Sequence, residues 1–200
     1  MGHAVEEAVS IKGIKKALSH YTFSNIEKSG SLAAVMVLIY KKGTVLYVLL
    51  TERSNKVEHH KGEISFPGGS FESTDLDLEY TALRETYEEV GVDPGSIEVI
   101  GRLDELVTIT EFIVTPYVGV INKESDQQFV RQEDEVAALL EVPIYHLLDE
   151  GNHEIEIRQF HGEPVLVPAY HYKGKRIWGA TAKILEQLIG IISDEGKKDL

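Results

Sequence analysis

The chain has 200 residues, a formal net charge of −13 at pH 7, 42% hydrophobic and 26% charged residues, and no cysteine. This composition is typical of a globular protein, and the length predicts a single domain over residues 1–200. The lack of cysteine excludes disulfides, thiolate zinc sites and a cysteine nucleophile, and the acidic balance argues against general binding to nucleic acid or anionic membranes.

The sequence shows no pattern typical of a membrane span or an export signal. The longest apolar run, residues 32–40, is too short to cross a bilayer. Glu6 and Glu7 stand where a signal peptide would carry positive charge. We therefore expect a soluble, cytoplasmic protein.

The first part of the chain predicts a helix, a hairpin and a loop. Apolar residues at helical spacing predict an amphipathic N-terminal helix over about 4–20. Residues 32–40 and 44–51 are rich in Val, Ile, Leu and Tyr and are separated by 41–43, which predicts a β-hairpin of buried strands. The polar residues 53–61 predict a loop.

A central helix is predicted over 76–90. Gly91 is the expected C-cap, and the candidate N-caps are Ser73, Thr74 and Asp75. Further strands are expected near 96–103, 112–121, 154–159 and 164–171, and a last helix over 180–192 precedes a polar tail over 193–200. This mixture of strands and helices predicts an α/β sandwich.

The central helix carries an unusual group of acids. At about 100° per residue, Glu85, Glu88 and Glu89 share one narrow face. The side chains expected on the opposite side are Tyr80, Leu83, Tyr87 and Val90. The pattern therefore predicts that the helix buries its apolar side and presents three carboxylates on the other.

Three crowded carboxylates repel one another unless a cation lies between them. A hard divalent cation that prefers oxygen ligands relieves this repulsion, and the absence of histidine from this face favours Mg²⁺ or Mn²⁺ over zinc. A solvated acidic face is the alternative for an isolated pattern of this kind. Gly68 and Gly69 before the helix, with Arg84 and Gly91 around the acids, favour a metal site.

These residues resemble the signature of the Nudix hydrolases, G-x5-E-x7-R-E-U-x-E-E-x-G-U, in which U is aliphatic. The positions that match its second half are Arg84, Glu85, Glu88, Glu89, Gly91 and Val92. The first half departs, because the acidic position falls on Asp75 when counted from Gly69 and on Leu76 when counted back from Arg84. We therefore interpret Asp75 as a capping or loop acid and not as a metal ligand.

The longer spacing is similar to that of the coenzyme A pyrophosphatase branch of the family, which also carries L-L-T-x-R-[SA]-x3-R-x3-G-x3-F-P-G-G upstream. Residues 49–54, Gly62 and 66–69 match this pattern in register, whereas Glu58 stands where it has arginine. A cation from residues 59–61 could replace that arginine. The resemblance extends over roughly residues 32–190.

The resemblance implies a Nudix α/β/α sandwich with a mixed β-sheet, and attack of a metal-activated water on a pyrophosphate. It implies that Glu85, Glu88, Glu89 and the carbonyl of Gly69 hold Mg²⁺ or Mn²⁺, and that Glu88 or Glu89 is the general base. It also implies that Arg84 orients a glutamate by pairing with it. Homodimers are common in the family, so a homodimer is a further expectation.

Other site residues are predicted with their alternatives. Glu135 is a candidate catalytic acid, or else a surface or capping acid before a helix-like stretch. Arg53 is a candidate for binding substrate phosphate, or else a member of a surface salt bridge. Phe66 and Gly68, in the F-P-G-G motif, complete the predicted substrate-binding residues.

The leading functional prediction is metal-dependent hydrolysis of the pyrophosphate of coenzyme A or acyl-CoA to 3′,5′-ADP and 4′-phosphopantetheine. Glu58 supports an alternative in which the substrate is ADP-ribose, NADH or a dinucleoside polyphosphate. A further alternative is a non-catalytic, nucleotide-sensing Nudix domain, against which the three retained glutamates argue. In each case the partner is a small-molecule nucleotide, with neither nucleic acid nor membrane involved.

Overall fold

The computed structural model describes residues 9–27, 29–54, 56, 62–121, 128–160 and 162–198, without the side chains of 160 and 195–198. The helices in these ranges are α1 (Ile11–Ser19), α2 (Leu78–Val90), α3 (Ile144–Leu147) and α4 (Gly179–Lys198). The strands are β1 (Ser31–Lys42), β2 (Val45–Arg53), β3 (Ile64–Ser65), β4 (Gly68–Ser70), β5 (Ile97–Arg102), β6 (Leu106–Val107), β7 (Phe112–Ile121), β8 (Val136–Pro143), β9 (His153–Phe160), β10 (Glu163–Tyr172) and β11 (Lys175–Trp178).

The strands form two sheets. The larger has eight strands with the central order β3-β2-β1-β7-β5, and β8 also pairs with β2, β4 with β1 and β6 with β7. β1 runs parallel to β7, and the other pairs are antiparallel, so the sheet is mixed. The smaller sheet is antiparallel, in the order β11-β10-β9.

The two faces of β1 bury side chains in two different layers. Val37 and Ile39 belong to a core that includes side chains of α1 and α4. Met36 and Leu38 point to the opposite face and belong to a core with Ala82 and Val90 of α2. Because successive residues of a strand alternate between faces, the large sheet lies between α2 and the α1–α4 layer, and the predicted α/β/α sandwich is confirmed.

The structure corrects several predicted boundaries. The N-terminal helix begins at Ile11, because the Ser10 side chain accepts the Gly13 N–H at 3.0 Å and caps it; residues 4–8 lie outside the described residues. The last helix continues to Lys198, so the prediction of a non-helical polar tail from 193 was wrong. Of the predicted loop 53–61, Arg53 belongs to β2, and residues 55 and 57–61 lie outside the described part.

The prediction of a helix-like stretch after Glu135 was also wrong. Residues Val136–Pro143 form β8, which pairs antiparallel with β2 from Tyr47↔Pro143 to Arg53↔Val136. A short apolar run does not distinguish a buried strand from a helix by periodicity alone, and pairing with β2 decides in favour of a strand. Among the described helices, none is both long and apolar enough to cross a membrane.

Candidate active site

A glycine pair brings the chain against β1 beside the acidic helix. Gly68 and Gly69 in β4 pair with Val35 and Ala34 of β1. Gly68 has φ 155°, and a Cβ atom there would lie 2.4 Å from the carbonyl oxygen of Ala34. A Cβ atom on Gly69 would lie 2.4 Å from Oε1 of Glu85. Only glycine fits against the β1 backbone at residue 68, and a side chain at residue 69 would displace the Glu85 carboxylate. The pair therefore lets the backbone lie directly against that carboxylate.

The caps of α2 differ from the prediction at one end only. The helix begins at Leu78, and its N-cap is Asp77, which accepts the Tyr80 N–H at 2.8 Å. Asp77, and none of the predicted residues Ser73, Thr74 and Asp75, therefore caps α2. The predicted C-cap is confirmed, because Gly91 adopts the left-handed conformation with φ 71°.

The side of α2 that faces the sheet is only partly the predicted one. Val90 is buried and Leu83 packs against the core, as predicted. Tyr80 and Tyr87 are 44% and 57% exposed, and Ala82, Thr86 and Glu89 are buried in their place. Small side chains let the helix lie close to β1 and β4, where tyrosine rings do not fit. The recurrence of Ala82 and Thr86 at helical spacing was the signal in the sequence that could have identified this face.

Arg84 is anchored by a buried ion pair that the sequence reasoning missed. Its Nε donates to Oδ1 of Asp75 at 2.9 Å, and its Nη2 donates to Oδ2 at 3.0 Å. Asp75 also accepts Thr81 Oγ1–H at 2.8 Å and the Glu72 N–H at 3.0 Å. Arg84, foremost among these donors, holds the pKa of the Asp75 carboxyl well below its usual range. Asp75 is thus a loop acid whose partners are groups of the chain itself.

Arg84 also joins two of the glutamates. Its Nη1 donates to Oε1 of Glu85 at 2.9 Å and to Oε2 of Glu88 at 3.0 Å. The side chain of Glu85 is 15% exposed and that of Glu88 is 52% exposed. The anchored guanidinium therefore sets where these carboxylates stand, as the predicted pairing of Arg84 with a glutamate requires.

Glu89 is a buried acid beside the same cluster. The residue is only 3% exposed, and its Oε2 has no hydrogen-bond partner among the described residues. Burial raises its pKa to about 8, with smaller upward contributions from Glu85 and Glu135 and downward ones from Arg53 and the Gly68 N–H. Burial likewise raises the pKa of Glu85, although Arg84 opposes that shift. The cluster thus holds more negative charge than Arg84 balances.

Arg53 and Glu135 lie close enough to influence these acids electrostatically. Arg53 ends β2 at an irregularity in the pairing with β8, and its buried Nε lacks a partner in the described part of the chain. The loop of Glu135 is held by its carbonyl, which accepts the Ser54 N–H at 2.7 Å, and by Gln132, whose N–H donates to the Glu89 carbonyl at 2.9 Å. The fold therefore brings residues far apart in sequence to one place.

Phe66 is the predicted site residue that the structure places elsewhere. Its side chain is 2% exposed and belongs to the core shared with α1 and α4. The Phe66 ring therefore fixes the segment before β4 to that core. Glu58 and the histidines and lysine at 59–61 lie outside the described residues.

The donors in this cluster fit a hard divalent cation. In the described ranges, no three Asp, Glu or His side chains are arranged as a ready metal site, and Arg84 engages two of the candidate ligands. The buried Oε2 of Glu89 nevertheless has no hydrogen-bond partner among the described residues, and burial raises the pKa values of both Glu85 and Glu89. A cation with oxygen ligands would supply that charge.

Comparisons with known proteins show the family to which the chain belongs. The sequence model of the NUDIX domain matches residues 30–162. The "Uncharacterized Nudix hydrolase NudL" of Citrobacter koseri is 38% identical over 157 residues, or 78% of this chain and 80% of that protein. The protein of the same description from Enterobacter sp. is 40% identical over 144 residues, or 70% of this chain and 72% of its own length.

Solved structures show the same fold. A MutT/nudix family protein from Enterococcus faecalis has a TM-score of 0.56 at 18% identity, covering 95% of this chain and 72% of that one. A Deinococcus radiodurans protein has a TM-score of 0.52 at 15% identity, covering 79% of this chain and 82% of that one. The chain belongs to the Nudix family. It is a hydrolase of nucleoside diphosphate-linked substrates, in a family that generally uses divalent metal cations.

Removal of the Asp75 charge is expected to destabilise the protein. Asp75→Asn keeps the side-chain shape but leaves the Arg84 guanidinium without its bidentate partner, and breaking a buried ion pair costs about 3 kcal/mol. Urea unfolding measures this loss. The control is Asp77→Asn, which should be nearly neutral because asparagine caps helices as well as aspartate does. Equal effects of the two variants would contradict the assigned role of Asp75.

Burial of Glu89 predicts a pH dependence of stability in the metal-free protein. Burial raises the pKa of Glu89 in the folded state to about 8, against an ordinary value of 4.5. The folded state therefore keeps a proton that the unfolded state releases, and the free energy of unfolding should fall as the pH rises from about 4.5 through 8. Thermal unfolding in the presence of a chelator should show this fall, and Glu89→Gln should reduce it and raise stability above pH 8.

The matched control for this pH series is Glu88→Gln on the same helix. The Glu88 side chain is half-exposed, so its neutralisation should leave the slope of stability against pH close to that of the unaltered protein. The same slope in all three proteins would show that Glu89 is not buried as described.

Proposed function

We propose that the protein hydrolyses the pyrophosphate of coenzyme A or acyl-CoA, giving 3′,5′-ADP and 4′-phosphopantetheine or its acyl form, with Mg²⁺ or Mn²⁺. The observation that carries this proposal is the buried Nε of Arg53, which has no hydrogen-bond partner among the described residues. Arg53 belongs to the L-L-T-x-R-S segment, and its charge lowers the pKa of Glu89 in the acidic helix. A cation with an unpartnered Nε beside a carboxylate cluster is suited to an anionic diphosphate.

Glu85, Glu88, Glu89 and the Gly69 carbonyl would hold the metal in this proposal. When bound, the ion would neutralise diphosphate charge and lower the pKa of a water molecule that it holds. Asp75 holds Arg84, which in turn holds Glu85 and Glu88 in place. Arg53 donates to a phosphate oxygen, and Glu88 or Glu89 accepts the proton of the attacking water.

Glu135 is proposed as a further acid of the site. Its charge raises the pKa values of Glu85 and Glu89, which supports a position facing both. The side chain is exposed, so it can approach a substrate or a water in the cleft. In this proposal Glu135 assists the proton acceptor, and it does not replace Glu88 or Glu89.

A second substrate class is favoured by one residue. Glu58 reverses the charge at a position where the coenzyme A pyrophosphatase pattern has arginine. A site without that cation is better suited to a substrate with fewer phosphates, such as ADP-ribose or NADH, or to a differently placed chain of phosphates, as in a dinucleoside polyphosphate. The reaction and the metal-binding residues are the same in this second proposal.

A substrate panel distinguishes the two proposals. The purified protein is incubated with Mg²⁺ or Mn²⁺ and, separately, with coenzyme A, ADP-ribose, NADH and a dinucleoside polyphosphate, and products are resolved by chromatography and mass. We expect 3′,5′-ADP from coenzyme A, with loss of the product on addition of chelator. Selective cleavage of another substrate would favour the second proposal, and no hydrolysis of any substrate would contradict both.

The glutamates are tested on whichever substrate is cleaved. Glu88→Gln and Glu89→Gln should each lower kcat by about 10²-fold or more, since a general base contributes about 10²–10⁴-fold. The control is Glu79→Gln, an exposed acid in the first turn of the same helix, which should keep nearly the full rate. Rates near that of the unaltered protein in both site variants would contradict the assigned roles.

A further inference from the structure

The smaller sheet ends in a long unpaired edge. β9 pairs with β10 along its length, from Tyr170↔His153 to Glu163↔Phe160, and no described strand pairs with its other edge. β9 has eight residues. A strand of this length with one open edge presents a row of backbone N–H and C=O groups that can pair with another chain.

Apolar side chains are exposed on one face of this edge. Ile155 and Ile157 lie on the same face of β9, and Ile157 is opposite Leu166 of β10. These three side chains are 53%, 70% and 62% exposed, respectively. Further along the same face, Tyr170 and Ile177 are buried in the core. One end of this face of the small sheet packs on the core. The other end, which carries the three exposed side chains, is an apolar surface that the core does not cover.

We propose that β9 pairs antiparallel with β9 of a second copy of this chain, about a two-fold axis at Ile157. The pairing joins the two small sheets into one of six strands and brings both apolar surfaces together on one face. An interface about a two-fold axis uses the same surface of each subunit. The proposal does not depend on which substrate is cleaved, because Ile157 lies on a different sheet from β4.

The charges on β9 favour this register over the neighbouring ones. A two-fold axis perpendicular to the sheet must pass beside one residue of β9, which then stands opposite its own copy. Only then do the apolar side chains of both copies lie on the same face of the joined sheet. An axis at Glu156 would place the two copies of Glu156 opposite each other, and an axis at Arg158 would do the same for Arg158. An axis at Ile155 would oppose Glu154 to Glu156. Each of these registers sets like charges opposite each other, which is destabilising.

An axis at Ile157 gives the complementary arrangement. Glu156 of each copy then stands opposite Arg158 of the other, and Ile157 stands opposite itself. Within one chain Arg158 Nε already lies 2.8 Å from Oε2 of Glu156, and Nη2 of Arg176 lies 2.6 Å from Oε1 of Glu156. The second copy extends this group of charges, because Glu156 and Arg158 of one copy pair with Arg158 and Glu156 of the other. The two copies of Ile157 meet at the axis.

The solution mass and its dependence on concentration test the proposal. We expect the full chain to sediment as a dimer that dissociates on dilution, and we expect Ile157→Asp to be monomeric because two carboxylates would meet at the axis. The control is Ile109→Asp in the turn before β7, where the side chain is 77% exposed and remote from β9, and it should remain dimeric. A monomer at every concentration, or a dimer that persists in Ile157→Asp, would overturn the proposal.

Cross-linking tests the axis without weakening the interface. The chain contains no cysteine, so Ile157→Cys introduces a single thiol. Residues directly opposite in an antiparallel pair have Cα atoms about 4.5–5.5 Å apart, within the range of a disulfide. Mild oxidation should therefore give a covalent dimer of Ile157→Cys and none of Ile109→Cys. Equal cross-linking of both variants, or of neither, would contradict an axis at Ile157.

The register is tested with two further single-cysteine variants. Glu156→Cys and Arg158→Cys should cross-link to each other when mixed, because these positions are opposite across the proposed axis. Each variant alone should cross-link less. Preferential cross-linking of Glu156→Cys to itself would place the axis at residue 156 and overturn the proposed register.

Discussion

The site is organised around one guanidinium group. Arg84 forms a bidentate pair with Asp75, which is itself fixed by Thr81 and by the backbone of the loop before α2. The remaining Nη1 holds Glu85 and Glu88. Because an arginine fork bonded on one side to a buried carboxylate has little freedom, the loop and the helix cannot shift relative to each other without breaking this pair. The positions of Glu85 and Glu88 therefore depend on Asp75, an acid in the loop before α2.

The burial of Glu89 destabilises the fold, whereas the pair of Asp75 with Arg84 stabilises it. The same approach of α2 to the sheet that buries Ala82 and Thr86 also buries this carboxylate and raises its pKa to about 8. An ionised acid in this place destabilises the fold unless a positive charge is supplied. Burial of this carboxylate thus lowers the stability of the fold and concentrates negative charge at the site, as is common where binding or catalysis requires concentrated charge. Arg53 offsets part of this charge, and in the proposed function a divalent cation would offset the remainder.

The two sheets have separate roles in this arrangement. The large sheet, through β2 and β4, positions Arg53 and the glycine pair beside α2. The small sheet packs Tyr170 and Ile177 into the other core and carries the open edge of β9. A subunit contact at Ile157 would therefore occupy backbone groups of the small sheet and leave the pairing of β4 with β1 unchanged. Catalysis and association can then vary independently.

The sequence by itself determined the local elements and the chemistry of the central helix. Runs rich in Val, Ile, Leu and Tyr, with the turn residues between them, located β1 and β2, and a strand was also expected at β7. Gly91 located the end of α2, and the spacing of three glutamates with Arg84 identified the Nudix signature. These features are readable because each depends on residues close together in the chain. Only the tertiary structure decided the rest. It showed that α2 packs through Ala82 and Thr86 as well as the predicted Val90, and that Tyr80 and Tyr87 stay exposed. It made residues 136–143 a strand, because they pair with β2. It joined Asp75 to Arg84 and placed Arg53 where its charge lowers the pKa of Glu89, because interactions between distant residues leave no periodic signal in the sequence.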